Sequence, residues 1–120
     1  ELNLIKTVLL NLVDNAYKAS EPGGTIELYG IKQEDGYCFR VKDYGTGIPK
    51  EECKKIMEAF YMVDKSRARS KNGAGLGLAL CSEILKLHGS ELIVESEVGE
   101  GSCFYFLLGC EEVKNHEAED

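Results

Sequence analysis

Two pairs of strand-period segments frame this chain. "TIELYGIKQ" (25–33) and "GYCFRVKDY" (36–44) form the first pair, joined through "EDG", which is hairpin chemistry. "SELIVESEVG" (90–99) and "GSCFYFLLG" (101–109) form the second. Antiparallel pairs of this kind need a covering layer, and the helical segments supply it. Residues 2–19 have helical period, with Leu2, Ile5, Leu9, Leu12, Val13 and Ala16 on one apolar stripe. "EPGG" at 21–24 stops that helix. Pro49 marks the start of a short helix over 50–58, and another runs from about Ala74 to Leu87, closing at His88-Gly89. The order helix, two strands, helix, loop, helix, two strands predicts an α+β fold. It is a two-layer sandwich with a mostly antiparallel mixed sheet and its helices gathered on one face.

The 120 residues fit one domain, taken as 1–109, with residues 110–120 as an acidic tail expected to be disordered. Fourteen Lys and Arg against 21 Asp and Glu leave a net charge of −7, which argues against general nucleic-acid binding. No apolar run approaches the roughly 20 residues that span a bilayer. Cys38, Cys53, Cys81, Cys103 and Cys110 are odd in number and widely spaced, without a C-x-x-C pair. They read as small, partly buried apolar residues in a reducing cytoplasm. Glu1 lies so near the first helical pattern that the chain reads as a piece of a longer protein, and this piece is expected to be a monomer.

Three stretches carry chemistry. "NGAGLGLAL" (72–80) places Gly73, Gly75 and Gly77 ahead of a helix. Leu78 stands where a dinucleotide fingerprint needs its third glycine, and no Walker string exists, so both common nucleotide folds are rejected. Glycines before a helix still suit an anion, because bare amides and a positive dipole end face it; a purely steric turn is the equal alternative. On the first helix Asn11, Asn15 and Lys18 fall within about 60° of arc, where amides suit a hard cation and Lys18 suits a phosphate. A solvated face with an Asp14–Lys18 pair is the alternative. "DYGTG" (43–47) ends a strand with a carboxylate that could meet an adenine amino group or cap its own backbone. Residues 59–73 carry neither period and hold Lys65, Arg67, Arg69 and Lys71; they read as a functional loop, expected to order when nucleotide binds.

In this order, the stretches resemble the catalytic, ATP-binding domain of sensor histidine kinases, within the superfamily that includes gyrase and MutL. "NLVDNAYKAS" (11–20) resembles the N box, "DYGTGI" (43–48) the first glycine box, "EAFYMVDKSR" (58–67) the F box and "NGAGLGLAL" the second glycine box. "LHGSELIVESEVGEGSCFYFLL" (87–108) resembles the end of the domain. The resemblance implies a sandwich with a left-handed βαβ unit. It implies that Asn15 ligates Mg²⁺, with Asn11 as a further ligand, and that Lys18 and Arg67 meet ATP phosphates. It implies that Asp43 reads adenine, with Gly45, Gly47 and Ile48 shaping that wall. Phe60 would anchor the lid, and Gly73, Gly75, Leu76, Gly77 and Leu78 would wrap the phosphates.

Hydrolysing members of that superfamily carry a glutamate base four residues before the metal-binding Asn. Asn11 occupies that position here, and a neutral amide is no base near pH 7. The resemblance therefore implies transfer of the γ-phosphoryl group to a histidine on a dimerisation domain outside this chain, with a response regulator as indirect partner. The parent would be a cytoplasmic or membrane-anchored homodimer. An ATP-hydrolysing domain and a degenerate partner-binding domain are the alternatives. The chain departs from the pattern at Ala19, Met62 and Tyr44, where the family commonly has an aromatic, an Arg and an Asp or Asn.

Overall fold

The computed structural model describes residues 2–57 and 77–109. Helix α1 spans Leu2–Ala19, strand β1 Ile26–Gln33 and β2 Gly36–Asp43. Helix α2 spans Gly77–Leu87, β3 Ile93–Glu97 and β4 Gly101–Gly109. The strands form one sheet in the order β1-β2-β4-β3, and every neighbouring pair is antiparallel. β2 and β3 therefore run in the same direction on either side of β4, and the chain reaches β3 by way of α2. This is the two-layer α+β arrangement that the order of segments predicts.

Strand register sets up the site. Ile26, Asp43, Ser102 and Ser96 stand opposite one another across the four strands. Two residues further along the same face come Leu28, Val41, Phe104 and Val94, then Gly30, Phe39 and Phe106. Both helices lie on this face, so Val8, Leu12 and Ala16 of α1 and Cys81, Ile84 and Leu85 of α2 enclose Val41, Phe104 and Phe106. Phe39 stacks on Phe106 with ring centroids 5.6 Å apart, an aromatic pair that adds roughly 0.5–1.5 kcal/mol beyond its buried area. The opposite face carries Tyr29, Arg40 and Tyr105, with the Arg40 guanidinium 4.3 Å above the Tyr105 ring. The sheet thus has an apolar covered face whose row beside Asp43 is polar.

Two sequence expectations need correction. The apolar stripe of α1 meets the core at Ile5, Leu9, Leu12, Val13 and Ala16 as expected, but it gains Val8 and loses Leu2. Val8, Leu12 and Ala16 are buried in an i, i+4, i+8 row, whereas Leu2, at the start of α1, is 80% exposed. Residues 50–57 form no α-helix. They make two 3-10 turns, Lys50–Glu52 and Lys55–Met57, and only Ile56 among them is buried. Pro49 and two early glutamates are local start signals, but one buried side chain cannot stabilise a nucleated α-helix. Cys38, Cys53, Cys81 and Cys103 are free thiols, and Cys110 lies outside the described residues with the acidic tail.

Candidate nucleotide site

α1 ends at Ala19, and its last carbonyl meets the loop after β2. A methyl group built on Gly45 would come within 2.0 Å of Ala19 O, so no side chain fits there. Gly47 has a φ of 78° and lies against the β3–β4 turn, where an added methyl would come within 2.1 Å of Glu97 O. Both the backbone conformation and the close approach require glycine. The Gly99 N–H donates to Thr46 O at 2.8 Å, and the Ile48 N–H donates to Ser96 Oγ at 2.7 Å. The loop is therefore pinned between α1 and the β3–β4 hairpin.

Asp43 closes β2 and is only 1% exposed. Its Oδ1 accepts from the Gly45 N–H at 2.9 Å, and the Ser102 backbone N–H lies near enough to favour its ionised form. Burial pushes the carboxyl above its ordinary value, and the two N–H donors pull the other way without cancelling it. The self-capping turn weighed from the sequence is thus present. A carboxylate has about four acceptor positions, so two backbone donors leave room for a ligand donor.

On α1, the Asn11 carboxamide donates to Thr7 O at 3.1 Å, which directs its Oδ1 away from its own helix. That oxygen faces the first residue of α2; a methyl built on Gly77 would sit 3.6 Å from it. Asn15 is half-buried and makes no hydrogen bond to a described residue. Lys18 Nζ lies 3.1 Å from the Asp14 carboxylate. That pair is substantially exposed and is worth roughly 0.3–0.5 kcal/mol, little resistance to a phosphate. The side chains of Ile48 and Leu78 pack against the core, so either would meet a ligand chiefly through its backbone.

The fold thus draws three of the four boxes to α1: the N box lies on it, the first glycine box crosses its C-terminal end, and the second has its first described residue, Gly77, beside Asn11. Phe60, Arg67, Gly73, Gly75 and Leu76, with the rest of the expected lid, lie outside the described residues. Tyr44 points away, its hydroxyl donating to Glu27 at 2.8 Å. Ser96 and Ser102 were missed from the sequence. Their signal was parity, because Ser102 places a hydroxyl on the same face as Phe104 and Phe106. Among the described residues no group of three His, Cys, Asp or Glu could cage a metal. Mg²⁺ needs no such cage, since it usually keeps several waters and takes one or two protein ligands beside phosphates; an Asn15 carbonyl fits that demand.

Comparisons with known proteins agree with this arrangement. Residues 1–112 match the model of the family described as histidine kinase-, DNA gyrase B- and HSP90-like ATPases. The sensor protein SrrB of Staphylococcus aureus is 38% identical over 108 residues, which cover 90% of this chain and 18% of the relative. The chain therefore spans under a fifth of the length of the curated relatives it matches. The mycobacterial sensor histidine kinase MprB superimposes with a TM-score of 0.78 at 28% identity, over 91% of this chain and 72% of that one. Full-length ShkA in complex with AMPPNP gives 0.73 at 33% identity, over 86% and 20%. Motif order, sheet topology and the family match converge, and the chain belongs to the histidine kinase-, DNA gyrase B- and HSP90-like ATPase family.

Proposed function

We propose that this chain binds ATP with Mg²⁺ and delivers the γ-phosphoryl group to a histidine on a phosphoacceptor domain of a longer sensor kinase. The observation that carries the reading is Asp43, a buried carboxylate at a strand end with acceptor capacity to spare, beside a loop whose glycines seat it tightly against α1 and β3. An adenine amino group is a donor of the right kind. The AMPPNP bound by the related ShkA supports the same class of ligand.

In this reading Asp43 accepts from the base, while Gly45, Gly47 and the Ile48 backbone line its plane. Asn15, assisted by Asn11, holds the metal, and Lys18 leaves Asp14 for a phosphate. Arg67 and Phe60 act from the lid, and Gly73, Gly75, Leu76, Gly77 and Leu78 present amides to the phosphates. Bound Mg²⁺ supplies charge neutralisation of the phosphates. The protein's share is positioning and electrostatic stabilisation, the main demands of phosphoryl transfer.

Transfer is preferred to hydrolysis because of Asn11. It occupies the position of the hydrolytic base, and a neutral carboxamide, whose NH2 donates to Thr7 O, is no base near pH 7. No described helix is long and apolar enough to cross a membrane. We place the domain in the cytoplasm, where ATP is available, as part of a homodimeric parent kinase with a response regulator downstream.

Calorimetric titration with AMPPNP and Mg²⁺ tests the reading. The chain should give saturable heat, and Asn15→Ala should lose the Mg²⁺-dependent part of affinity while melting like the parent. Absence of heat at millimolar nucleotide would overturn the proposal. Unfolding of Asn15→Ala would instead make Asn15 a structural residue.

A further inference from the structure

The hydrogen bonds at the polar end of the sheet meet on one hydroxyl. Ser96 Oγ lies 2.9 Å from Gly101 O, 2.7 Å from Ile48 N and 2.8 Å from Ser102 Oγ. A hydroxyl has one proton and two acceptor lone pairs. The Gly101 carbonyl can only accept, so it takes the Ser96 proton, and the Ile48 N–H and the Ser102 O–H fill the lone pairs. Ser96 is then fully used. Ser102 stands opposite Asp43 in the β2–β4 register, which places this circuit beside the carboxylate.

Asp43 and Ile48 bound the loop that lines the proposed base pocket. The first is referenced to β4 through Ser102, and the second to β3 through Ser96. The tie between them, from Gly99 N–H to Thr46 O, is made by backbone and would survive any side-chain change. Loss of the Ser96 hydroxyl would leave a loop amide and a turn carbonyl unpaired in a half-buried setting, and the cheapest relief is for the loop to move toward water.

We infer that Ser96 is a positioning residue for nucleobase recognition: its hydroxyl fixes the Gly45–Ile48 loop relative to the Asp43 carboxylate. This rests on the ATP-binding reading and adds to it a residue that would touch no part of the nucleotide.

The test compares Ser96→Ala and Ser96→Thr with the parent chain, using AMPPNP and its guanine counterpart with Mg²⁺ as probes. Ser96→Ala should bind AMPPNP about tenfold more weakly, the consequence of leaving one such group unpaired, and should lose preference for adenine over guanine. Ser96→Thr, which keeps the hydroxyl, should restore both. A general loosening of the domain would weaken both nucleotides alike and leave the preference unchanged, and that result would overturn the inference. So would Ser96→Ala binding like the parent, or Ser96→Thr failing like Ser96→Ala. The parent chain offers a check that needs no variant: the Ile48 amide should exchange slowly with solvent, and exchange at the rate of an open loop would overturn the inference even if Ser96→Ala did not fold. A parent chain that bound neither nucleotide would sink the ATP-binding reading itself, an outcome distinct from all of these.

Discussion

Asp43 shows how one side chain can be a stability cost and, in the proposed reading, a recognition group. Its folded-state pKa lies above the ordinary 3.8, mainly through burial. Between those two values the folded chain holds a proton that the unfolded chain has released, so this residue's contribution to stability falls as pH rises through the window. Above both values the ionised carboxylate imposes a constant cost. Asp43→Asn keeps an oxygen for the Gly45 N–H and carries no charge. The difference between parent and variant urea midpoints should therefore shift in favour of the variant as pH rises through this window and then level off. Affinity runs the other way. An adenine amino group donating to the carboxylate favours its ionised form, so AMPPNP should bind the parent more tightly as pH rises over the same range, with proton release on binding. Asp43→Asn should bind about tenfold or more weakly, the scale of losing a charge-assisted hydrogen bond, and should show no such proton release. Calorimetry in two buffers of different ionisation enthalpy measures both quantities.

At the level of the element, α1 divides its surface between two tasks. Val8, Leu12 and Ala16 hold it to the sheet, and Asn11, Asn15 and Lys18 lie on an arc beside that row. Leu12 is fully buried, so Leu12→Ala should cost about 2–5 kcal/mol in urea unfolding. Leu10 is 66% exposed, and Leu10→Ala should stay within about 0.5 kcal/mol. Equal effects would mean that the helix is seated on another face. The limits of α1 were legible because "EPGG" is an unambiguous stop, and both hairpins were legible from their alternation. The centre of the α1 stripe was not, since its apolar residues cover a wide arc and only packing decides that Val8 is central and Leu2 is not. The helix expected over 50–58 failed for the same reason, because start signals are local and helix stability comes from burial. Of the site, the glycines and Asp43 were readable because "DYGTGI" resembles a family motif by residue type and spacing alone. Ser96 was not, because its role depends on register across three strands and on a loop that returns from β2.

At the scale of the whole molecule, the described residues offer no histidine suited to receive a phosphoryl group from the proposed site. His88 sits at the end of α2, where its Nδ1 lies 2.8 Å from Ile84 O, and His116 belongs to the tail outside the described residues. An imidazole that attacks phosphorus must present a nitrogen lone pair in line with the leaving oxygen, and a ring held against its own helix is poorly placed to do so. With Asn11 at the position of a hydrolytic base, water is no better served. The chain alone should therefore bind ATP and turn it over very slowly. Incubated with γ-labelled ATP and Mg²⁺, it should acquire no acid-labile phosphohistidine and release little phosphate. Adding the phosphoacceptor domain of its own parent kinase in trans should place label on that domain's histidine, and the label should vanish when the acceptor histidine is replaced. Steady phosphate release by the chain alone would return the hydrolysing alternative to first place. Nucleotide binding without transfer to the cognate acceptor would mean that the domain acts through binding rather than chemistry.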